Sequence, residues 1–184
     1  MKKFIISLIL ILSTFSLSAQ LRAVHINFYG DLLLEVGLPR GGYLLLDQYG
    51  KVKQINAAGL NVTKHSNFHH YEAGKIKSIN DLRFAYYSDF HDYESGKVKS
   101  IGDIKFKYHS AFHDYEAGKV EQIGNTKIEY YSDFHDCEAG KVKSIGGYKY
   151  SYDSDPKNGC YLSSGMLSVT VNGLKFNMLH THRR

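Results

Sequence analysis

Residues 90–111 read FHDYESGKVKSIGDIKFKYHSA, and this 22-residue pattern occurs four times without interruption. The other three copies cover residues 68–89, 112–133 and 134–155. A fixed period of this size is typical of repeat proteins, in which each supersecondary unit buries its apolar face against its neighbours. The period therefore predicts an array of similar units across the middle of the chain.

Within each unit, a short turn separates two runs of alternating side chains. In the second copy, Val98–Ile101 is followed by Gly102 and Asp103, and apolar residues then alternate with lysines over residues 104–108. Alternation at period two is the pattern of a β-strand with one apolar face, and Gly-Asp is a favoured pair in two-residue hairpin turns. The unit is therefore predicted to be a β-hairpin with one aromatic face and one cationic face.

Similar turn signals extend beyond the four clear copies in both directions. The first turn residues are predicted to be Gly30, Asn56, Asn80, Gly102, Gly124, Gly146 and Asn172. The turn after Asn56 is two residues longer than the turn after Asn80, and an insertion of two preserves the alternation of the next strand. The chain is therefore predicted to be all-β, with about seven antiparallel β-hairpins and atypical units as caps.

The aromatic face of such a sheet needs a cover. A large exposed apolar face is unusual in a soluble monomer, and no segment has the pattern of an amphipathic helix that could cover it. We therefore expect the hairpins to form a curled or spiralling meander, closed or solenoid-like, which also limits free strand edges.

The N-terminus has the features of a cleavable signal peptide. Lys2 and Lys3 precede an apolar run, and small residues follow up to Ala19. This pattern predicts a signal peptide over residues 1–19 and therefore a secreted or periplasmic protein. An uncleaved membrane anchor is the alternative.

The rest of the chain, residues 20–184, is expected to form one β-repeat domain. Its predicted parts are divergent N-terminal units (residues 20–67), four 22-residue repeats (residues 68–155) and a C-terminal capping hairpin (residues 156–184). Without the two lysines of the signal peptide, 21 basic (23 − 2) and 18 acidic side chains give a net charge of +3. This small, evenly mixed charge argues against nucleic acid as a partner, and no later apolar stretch is long enough to predict an integral membrane protein.

Two cysteines, Cys137 and Cys160, lie near the end of the repeats. Cys137 takes a position that is tyrosine in the other copies, and Cys160 follows the last copy. In an oxidising compartment the two could form a disulfide between the last repeat and the cap. Two free thiols are the alternative.

A repeated His-Asp pair is one candidate for chemistry. Its residues are His91, Asp92, His113, Asp114, His135 and Asp136. Two strands separate successive copies, about 10 Å at ~4.8 Å per strand, which is too far for adjacent histidines to share one zinc ion. A group within one copy, His91, Asp92 and Glu94 with Asp89, could hold a weak cation, or these residues could serve only the backbone groups of a duplicated turn.

Tyr87 and Tyr131 are the candidates for a ligand surface. Each follows a tyrosine of the aromatic face, so in a regular strand it points to the opposite face. Aromatic side chains beside lysines could bind glycans or extended peptides, whereas cross-strand packing is the structural alternative. No catalytic residue and no cofactor is predicted, because the candidate nucleophiles recur with the repeat instead of forming a unique cluster.

The sequence YEAGKV at residues 115–120, followed by an isoleucine, a turn and a pair of tyrosines, resembles the YD repeats of Rhs-type secreted proteins. The resemblance covers residues 71–152 and implies a spiralling β-sheet shell. Glutamate replaces the usual aspartate after the tyrosine, and Cys137 replaces one tyrosine. The chain is too short to form an encapsulating shell, so that function is not carried over. The signal ending and the KVKSIG motif are also similar to small secreted repeat proteins of unknown function in Bacteroidetes-like genomes.

These features predict a non-catalytic β-repeat protein that acts as a binding or structural module of the cell envelope. Its expected partner is an envelope glycan or another protein. A metal-dependent hydrolytic enzyme that uses the His-Asp sites is one alternative. An inhibitor or immunity-like protein is the other.

Overall fold

The computed structural model describes residues 20–134, 136–157, 159–164, 168–171 and 174–178. The predicted signal peptide, His135 and the predicted turn residue Asn172 lie outside these ranges. The described chain forms 17 β-strands and two 3-10 helices, Pro39–Gly41 and Asp136–Glu138. None of its helices is long and apolar enough to cross a membrane.

The strands are β1 (Gln20–Ile26), β2 (Leu32–Gly37), β3 (Tyr43–Asp47), β4 (Val52–Asn56), β5 (Val62–Lys64), β6 (Ile76–Ile79), β7 (Leu82–Tyr86), β8 (Val98–Ile101), β9 (Ile104–Tyr108), β10 (Val120–Ile123), β11 (Thr126–Tyr130), β12 (Val142–Ile145), β13 (Tyr148–Lys149), β14 (Ser151–Asp155), β15 (Gly159–Ser164), β16 (Ser168–Val171) and β17 (Leu174–Met178).

The strands form two large sheets and a separate hairpin. The order in the six-stranded sheet is β16-β17-β1-β2-β3-β4, the order in the nine-stranded sheet is β13-β12-β11-β10-β9-β8-β7-β6-β5, and β14 pairs with β15. In the described residues β1 and β17 are parallel, and the other neighbouring strands are antiparallel. The prediction of an all-β protein with antiparallel pairing is confirmed.

The four clear repeats form the hairpins β6–β7, β8–β9, β10–β11 and β12–β13. In the second hairpin, Ile101 pairs with Ile104 across Gly102, whose φ of 54° is a left-handed conformation that glycine adopts readily. Asn80 has a φ of 50° at the same place in the first hairpin, and asparagine tolerates this region better than most residues. Local turn chemistry therefore accounts for the repeated hairpins.

The predicted hairpin around Asn56 does not form. β4 pairs with β3 and β5 pairs with β6, so the strands on either side of this turn belong to different sheets. The longer turn carries the chain from the six-stranded to the nine-stranded sheet. Within the described residues neither large sheet closes on itself, and no solenoid-like sheet is found.

The apolar face of the repeats is covered by the six-stranded sheet. Buried side chains of both sheets form one hydrophobic cluster, which includes Leu34 and Leu44 of the first sheet and Ile101, Phe106 and Ile123 of the second. Burying an aliphatic side chain of this size contributes about 1.5–3 kcal/mol relative to leaving it exposed. Packing between two sheets, and not the predicted curling of one sheet, therefore removes the aromatic face from water.

Turns of the six-stranded sheet contact the ends of the repeat strands. The Val120 amide donates a hydrogen bond to the Gln48 carbonyl at 2.8 Å. Gly30 lies so close to Tyr152 that a Cβ atom would be 2.7 Å from a ring carbon of that tyrosine. The first contact joins the two large sheets, and the second joins the six-stranded sheet to the β14–β15 hairpin.

Candidate functional site

Each clear repeat begins with a loop whose tip carries an exposed phenylalanine. The four side chains are 82–96% exposed: Phe68, Phe90, Phe112 and Phe134. A single exposed apolar residue is ordinary, but these four recur every two strands, a spacing of about 10 Å. We call this set the phenylalanine row. The recurrence of these phenylalanines in a turn-rich segment is the sequence signal for an exposed tip.

Each phenylalanine of the first three loops rests on a small aromatic stack. The Phe ring meets the next histidine edge-on, with ring centroids 4.6–4.7 Å apart, and that histidine stacks on the tyrosine two residues later at 5.4–5.6 Å. The stacks are Phe68-His69-Tyr71, Phe90-His91-Tyr93 and Phe112-His113-Tyr115. The tyrosines are half-buried and pack against the core. The stack therefore connects each exposed ring to the rigid part of the fold.

Backbone hydrogen bonds close the base of each loop. The His109 amide donates to the Lys119 carbonyl at 2.9 Å, and the Gly118 amide donates to the His109 carbonyl at 3.0 Å. The His109 ring also lies 3.4 Å from the Glu116 carboxylate. Since both ends of the loop are fixed, the tip between them has little freedom to collapse onto the sheet.

The lysine after the loop glycine connects successive loops. Its Nζ donates to the glycine carbonyl of the next loop at 2.5 Å in three copies: Lys75 to Gly96, Lys97 to Gly118 and Lys119 to Gly140. Lys119 also donates to the Tyr115 carbonyl of its own loop at 2.7 Å, and its Nζ lies 5.0 Å from the centroid of the Tyr130 ring. These lysines lie outside the cationic strand face that the alternation predicts. Their constant place after glycine was the signal that these lysines differ from the strand lysines.

The last of these lysines uses the other sheet as its partner. Lys141 has no fifth repeat to follow it, and its Nζ donates to the Tyr29 carbonyl at 2.6 Å. Tyr29 lies in the turn between β1 and β2. The six-stranded sheet thus caps the lysine ladder as well as the core.

Burial shifts the pKa of both members of the lysine–tyrosine contacts. Burial, together with the neighbouring charge of Lys51, lowers the pKa of Lys97 to about 8. Burial also raises the pKa of Tyr108 and Tyr130 well above the usual range, and their hydroxyls donate to buried strand carbonyls at 2.7 and 3.0 Å. The two tyrosines therefore support the loops and are poor candidates for contact with a ligand.

The predicted ligand residues Tyr87 and Tyr131 are half-buried and pack against the core. The Tyr87 hydroxyl donates to the Phe106 carbonyl at 2.9 Å, and the Tyr131 hydroxyl donates to the Tyr150 carbonyl at 2.8 Å. Both rings therefore connect one repeat to the next. The most exposed aromatic side chains in the described part of the chain are those of the phenylalanine row.

The predicted His-Asp pairs lie in the same loops. His91, Asp92, His113 and Asp114 are exposed, Asp136 is exposed in the fourth loop, and His135 lies outside the described residues. Within the described chain, no group of three or more histidine, cysteine, aspartate or glutamate side chains is placed to hold a metal ion. The first two of these histidines take part in the aromatic stacks described above.

Cys137 and Cys160 are joined by a disulfide, with their Cα atoms 5.4 Å apart. This bond connects the fourth loop to β15. At the position of Cys137, the first three loops have a stacked tyrosine. The site as a whole is a row of four exposed aromatic tips, three of them supported by an aromatic stack, and aspartates lie close to Phe90, Phe112 and Phe134. In comparisons with known proteins, no family model, no curated protein and no solved structure matches this chain.

Proposed function

We propose that this protein is a non-catalytic binding module outside the cytoplasm, and that its phenylalanine row binds an extended, repetitive partner such as a glycan of the cell envelope. The observation that carries the proposal is the presence of four phenylalanines, 82–96% exposed, at the same place in successive repeats. Aromatic residues contribute strongly to binding sites because they bury a large area with few rotatable bonds.

Rigidity of the loops supports a binding role. Binding costs free energy for every side chain and loop that must be ordered in the complex. Here the stacks, the loop-closing hydrogen bonds and the lysine ladder order the tips before any partner arrives. A bare structural spacer would not require its most apolar side chains to be held in water.

The spacing of the row favours a partner that repeats. One phenylalanine offers a small contact, but linked contacts act together because each raises the effective concentration of the next. A polymer whose chemical repeat approximates the two-strand spacing of about 10 Å could contact several tips at once. This arrangement explains why the loops are preserved as nearly identical copies.

The charges around the tips favour a neutral or cationic polymer. Asp89 and Asp92 flank Phe90, Asp114 follows Phe112 closely, and all three carboxylates are exposed. Like charges placed across an interface oppose association. Nucleic acid and anionic lipid surfaces are therefore poor partners for this row, whereas sugar rings offer C–H groups to the electron-rich faces of aromatic rings.

Binding to insoluble cell-wall polysaccharide tests this proposal. We expect the purified protein to sediment with the polymer, and we expect Phe90→Ala and Phe112→Ala each to weaken binding about 5-fold or more. The affinity of the double variant should fall by the product of the two single-variant reductions. Tyr148→Ala is the matched control, since it removes an aromatic ring that is 36% exposed and lies on β13, outside the row.

The four variants and the wild type should unfold at similar denaturant concentrations, because exposed side chains contribute little to stability. Equal sedimentation of the double variant and the wild type would overturn the role of the phenylalanine row.

Export is tested separately by sequencing the mature N-terminus. We expect cleavage after Ala19 in protein recovered from the periplasm or the medium. The disulfide supports this location, because such bonds persist mainly in oxidising compartments. Recovery of an intact N-terminus in the cytoplasm would contradict it.

A further inference from the structure

A cleft lies between the free edges of the two large sheets, where β4 and β5 face each other. Its volume is about 560 Å³, within the range of small-molecule sites. Its apolar lining comes from both edges and from the strands behind them: Val52, Ile55, Val62, Ile76, Tyr86 and Val98. The cleft is distinct from the phenylalanine row, because none of the four phenylalanines lines it.

Apolar side chains in this cleft face the core and yet lack a cover. Val52 pairs with Leu46, and Ile55 pairs with Leu44. Cross-strand partners lie on the same face of a sheet, and both leucines are fully buried. Val52 and Ile55 are nevertheless each 39% exposed.

An irregularity in β4 makes this placement possible. The register with β3 shifts between Leu45 and Leu46, so that Val52 and Ile55, three residues apart, both pair with core-facing leucines. In a regular strand, residues three apart would point to opposite faces. On the other side of the cleft, Val62 pairs with the buried Ile79 and is itself 38% exposed. Two edges thus present apolar side chains toward one space.

Four lysines surround this apolar surface. Lys51, Lys64, Lys75 and Lys97 line the cleft, and the ion pairs found in the described part of the chain involve none of them. Lys75 and Lys97 donate instead to neutral carbonyls. Asp89 and Glu72 favour the charged form of Lys75, and Asp47 and Glu94 favour that of Lys97, but burial outweighs these effects and lowers the pKa of both lysines. The cleft therefore has positive charge that lacks a close counter-ion within the described residues.

We infer that this cleft binds a small anionic amphiphile, a molecule with a linear apolar body and a carboxylate head. The body would complete the core against Val52, Ile55 and Val62. The head would lie beside Lys51 and Lys97 and reduce the repulsion between these two ammonium groups. An apolar pocket with a few charged groups at one side is the usual composition of a small-molecule site.

Calorimetric titration with dodecanoate tests the inference, at concentrations below its micelle-forming range. We expect saturable binding of one dodecanoate per chain. Butyrate, with eight fewer methylenes, should bind more than about 100-fold more weakly, since each buried methylene contributes to binding. Dodecyltrimethylammonium has the same tail and the opposite charge, and it should bind at least about 10-fold more weakly.

Two variants separate a site from general detergent-like binding. Lys51→Gln changes the exposed lysine beside the proposed head, and we expect it to weaken dodecanoate binding about 3-fold to 5-fold, as for a partly exposed ion pair. Lys64→Gln changes an exposed lysine elsewhere in the cleft and should weaken binding less. Lys53→Gln is the matched control, because Lys53 is an exposed lysine of β4 that does not line the cleft. Equal effects of the three variants would overturn the inference, as would equal affinities for the two dodecyl probes or binding without saturation. A stable dimer that binds no dodecanoate would show that a second copy of the chain fills the cleft, and it would also overturn the inference.

Discussion

At one end of the nine-stranded sheet, the hairpin β14–β15 covers the repeats, whereas at the other end β5 faces the free edge of β4 across an open cleft. At the covered end, Tyr152 and Leu162 are each 7% exposed, and the disulfide holds the hairpin to the fourth loop. At the open end, Val52, Ile55 and Val62 are 38–39% exposed. The last strand of a repeated sheet leaves apolar side chains that a non-repeated segment must cover. In the described residues, the β14–β15 hairpin covers one end, and the end at β5 has no such cover.

The two ends also differ in how they join the sheets. At the covered end, the Leu162 amide donates to the Phe28 carbonyl at 2.9 Å, so one hairpin contacts both large sheets. At the open end, only the turn after Asn56 connects β4 with β5. The covered end should therefore contribute more to global stability, and the open end should tolerate change.

Removal of the disulfide should have the largest effect. We expect the double variant Cys137→Ser with Cys160→Ser to lower the free energy of unfolding by about 2–5 kcal/mol, because the hairpin would no longer be held to the fourth loop. Urea unfolding monitored by tyrosine fluorescence measures this change. The reduced wild type is the control and should unfold at a similar urea concentration. Unchanged stability in both would contradict the importance of the covered end.

Truncation of one aliphatic side chain at each end compares the two directly. We expect Leu162→Ala to cost about 2–4 kcal/mol, since it leaves a cavity in a packed region. Val62→Ala should cost less than about 1 kcal/mol, since the valine is already partly in water. Urea unfolding of the two variants gives the difference. Equal losses would show that the open end is as well packed as the covered one.

Removal of one tyrosine hydroxyl at each end gives a smaller and more specific comparison. The Tyr152 hydroxyl donates to the Val142 carbonyl, and the Tyr86 hydroxyl donates to the Ile76 carbonyl, both at 2.8 Å. We expect Tyr152→Phe to cost about 1–2 kcal/mol because the carbonyl is left buried without a partner. Tyr86→Phe should cost less, because Tyr86 and Ile76 line the cleft, from which a water molecule could enter and replace the lost hydroxyl. Denaturant titration of both variants measures the two losses in the free energy of unfolding. A larger loss in Tyr86→Phe than in Tyr152→Phe would contradict this prediction.

The smallest effect is expected in the dependence of stability on pH. The folded protein releases the Lys97 proton near pH 8, whereas the unfolded chain releases it near the ordinary value of 10.5. Between these values the unfolded state binds more protons, so the free energy of unfolding should rise with pH. Above about pH 10 it should fall, because the unfolded chain ionises tyrosines that the folded protein keeps protonated.

Lys97→Met should reduce the rise in the free energy of unfolding above pH 8 and leave its fall above pH 10 unchanged. Lys107→Met, which changes an exposed lysine of β9, is the matched control and should retain both. Unfolding midpoints measured at intervals from pH 7 to 11 give the comparison. A steady fall in the wild type across the whole range would contradict the lowered pKa of Lys97.

Much of the repeat architecture could be predicted from local pattern. The hairpin turns at Gly102 and Asn80 follow from residues that tolerate a positive φ. The buried positions of β7 and β11 follow from alternation at period two, because a strand presents every second side chain to one face. These features depend on residues only a few positions apart.

The exposed loop tips and the buried loop lysines were harder to predict. The Phe112 ring stands in water on the His113 ring, a placement that alternation at period two does not predict. Lys119 is buried between two loops, and its Nζ donates to a carbonyl of the next loop. The environment of Lys119 is created by the neighbouring repeat, so no short window of sequence contains that information.

The sequence by itself determined the repeat length, the hairpins and the side of each strand that is apolar, because turn preference and alternation are local. Only the tertiary structure decided that β4 and β5 separate into different sheets, that β17 returns to pair with β1, and that the six-stranded sheet covers the repeats. Sheet partners are chosen by apolar area and backbone hydrogen bonds between distant segments. The same long-range choice leaves the phenylalanine row exposed and the cleft open.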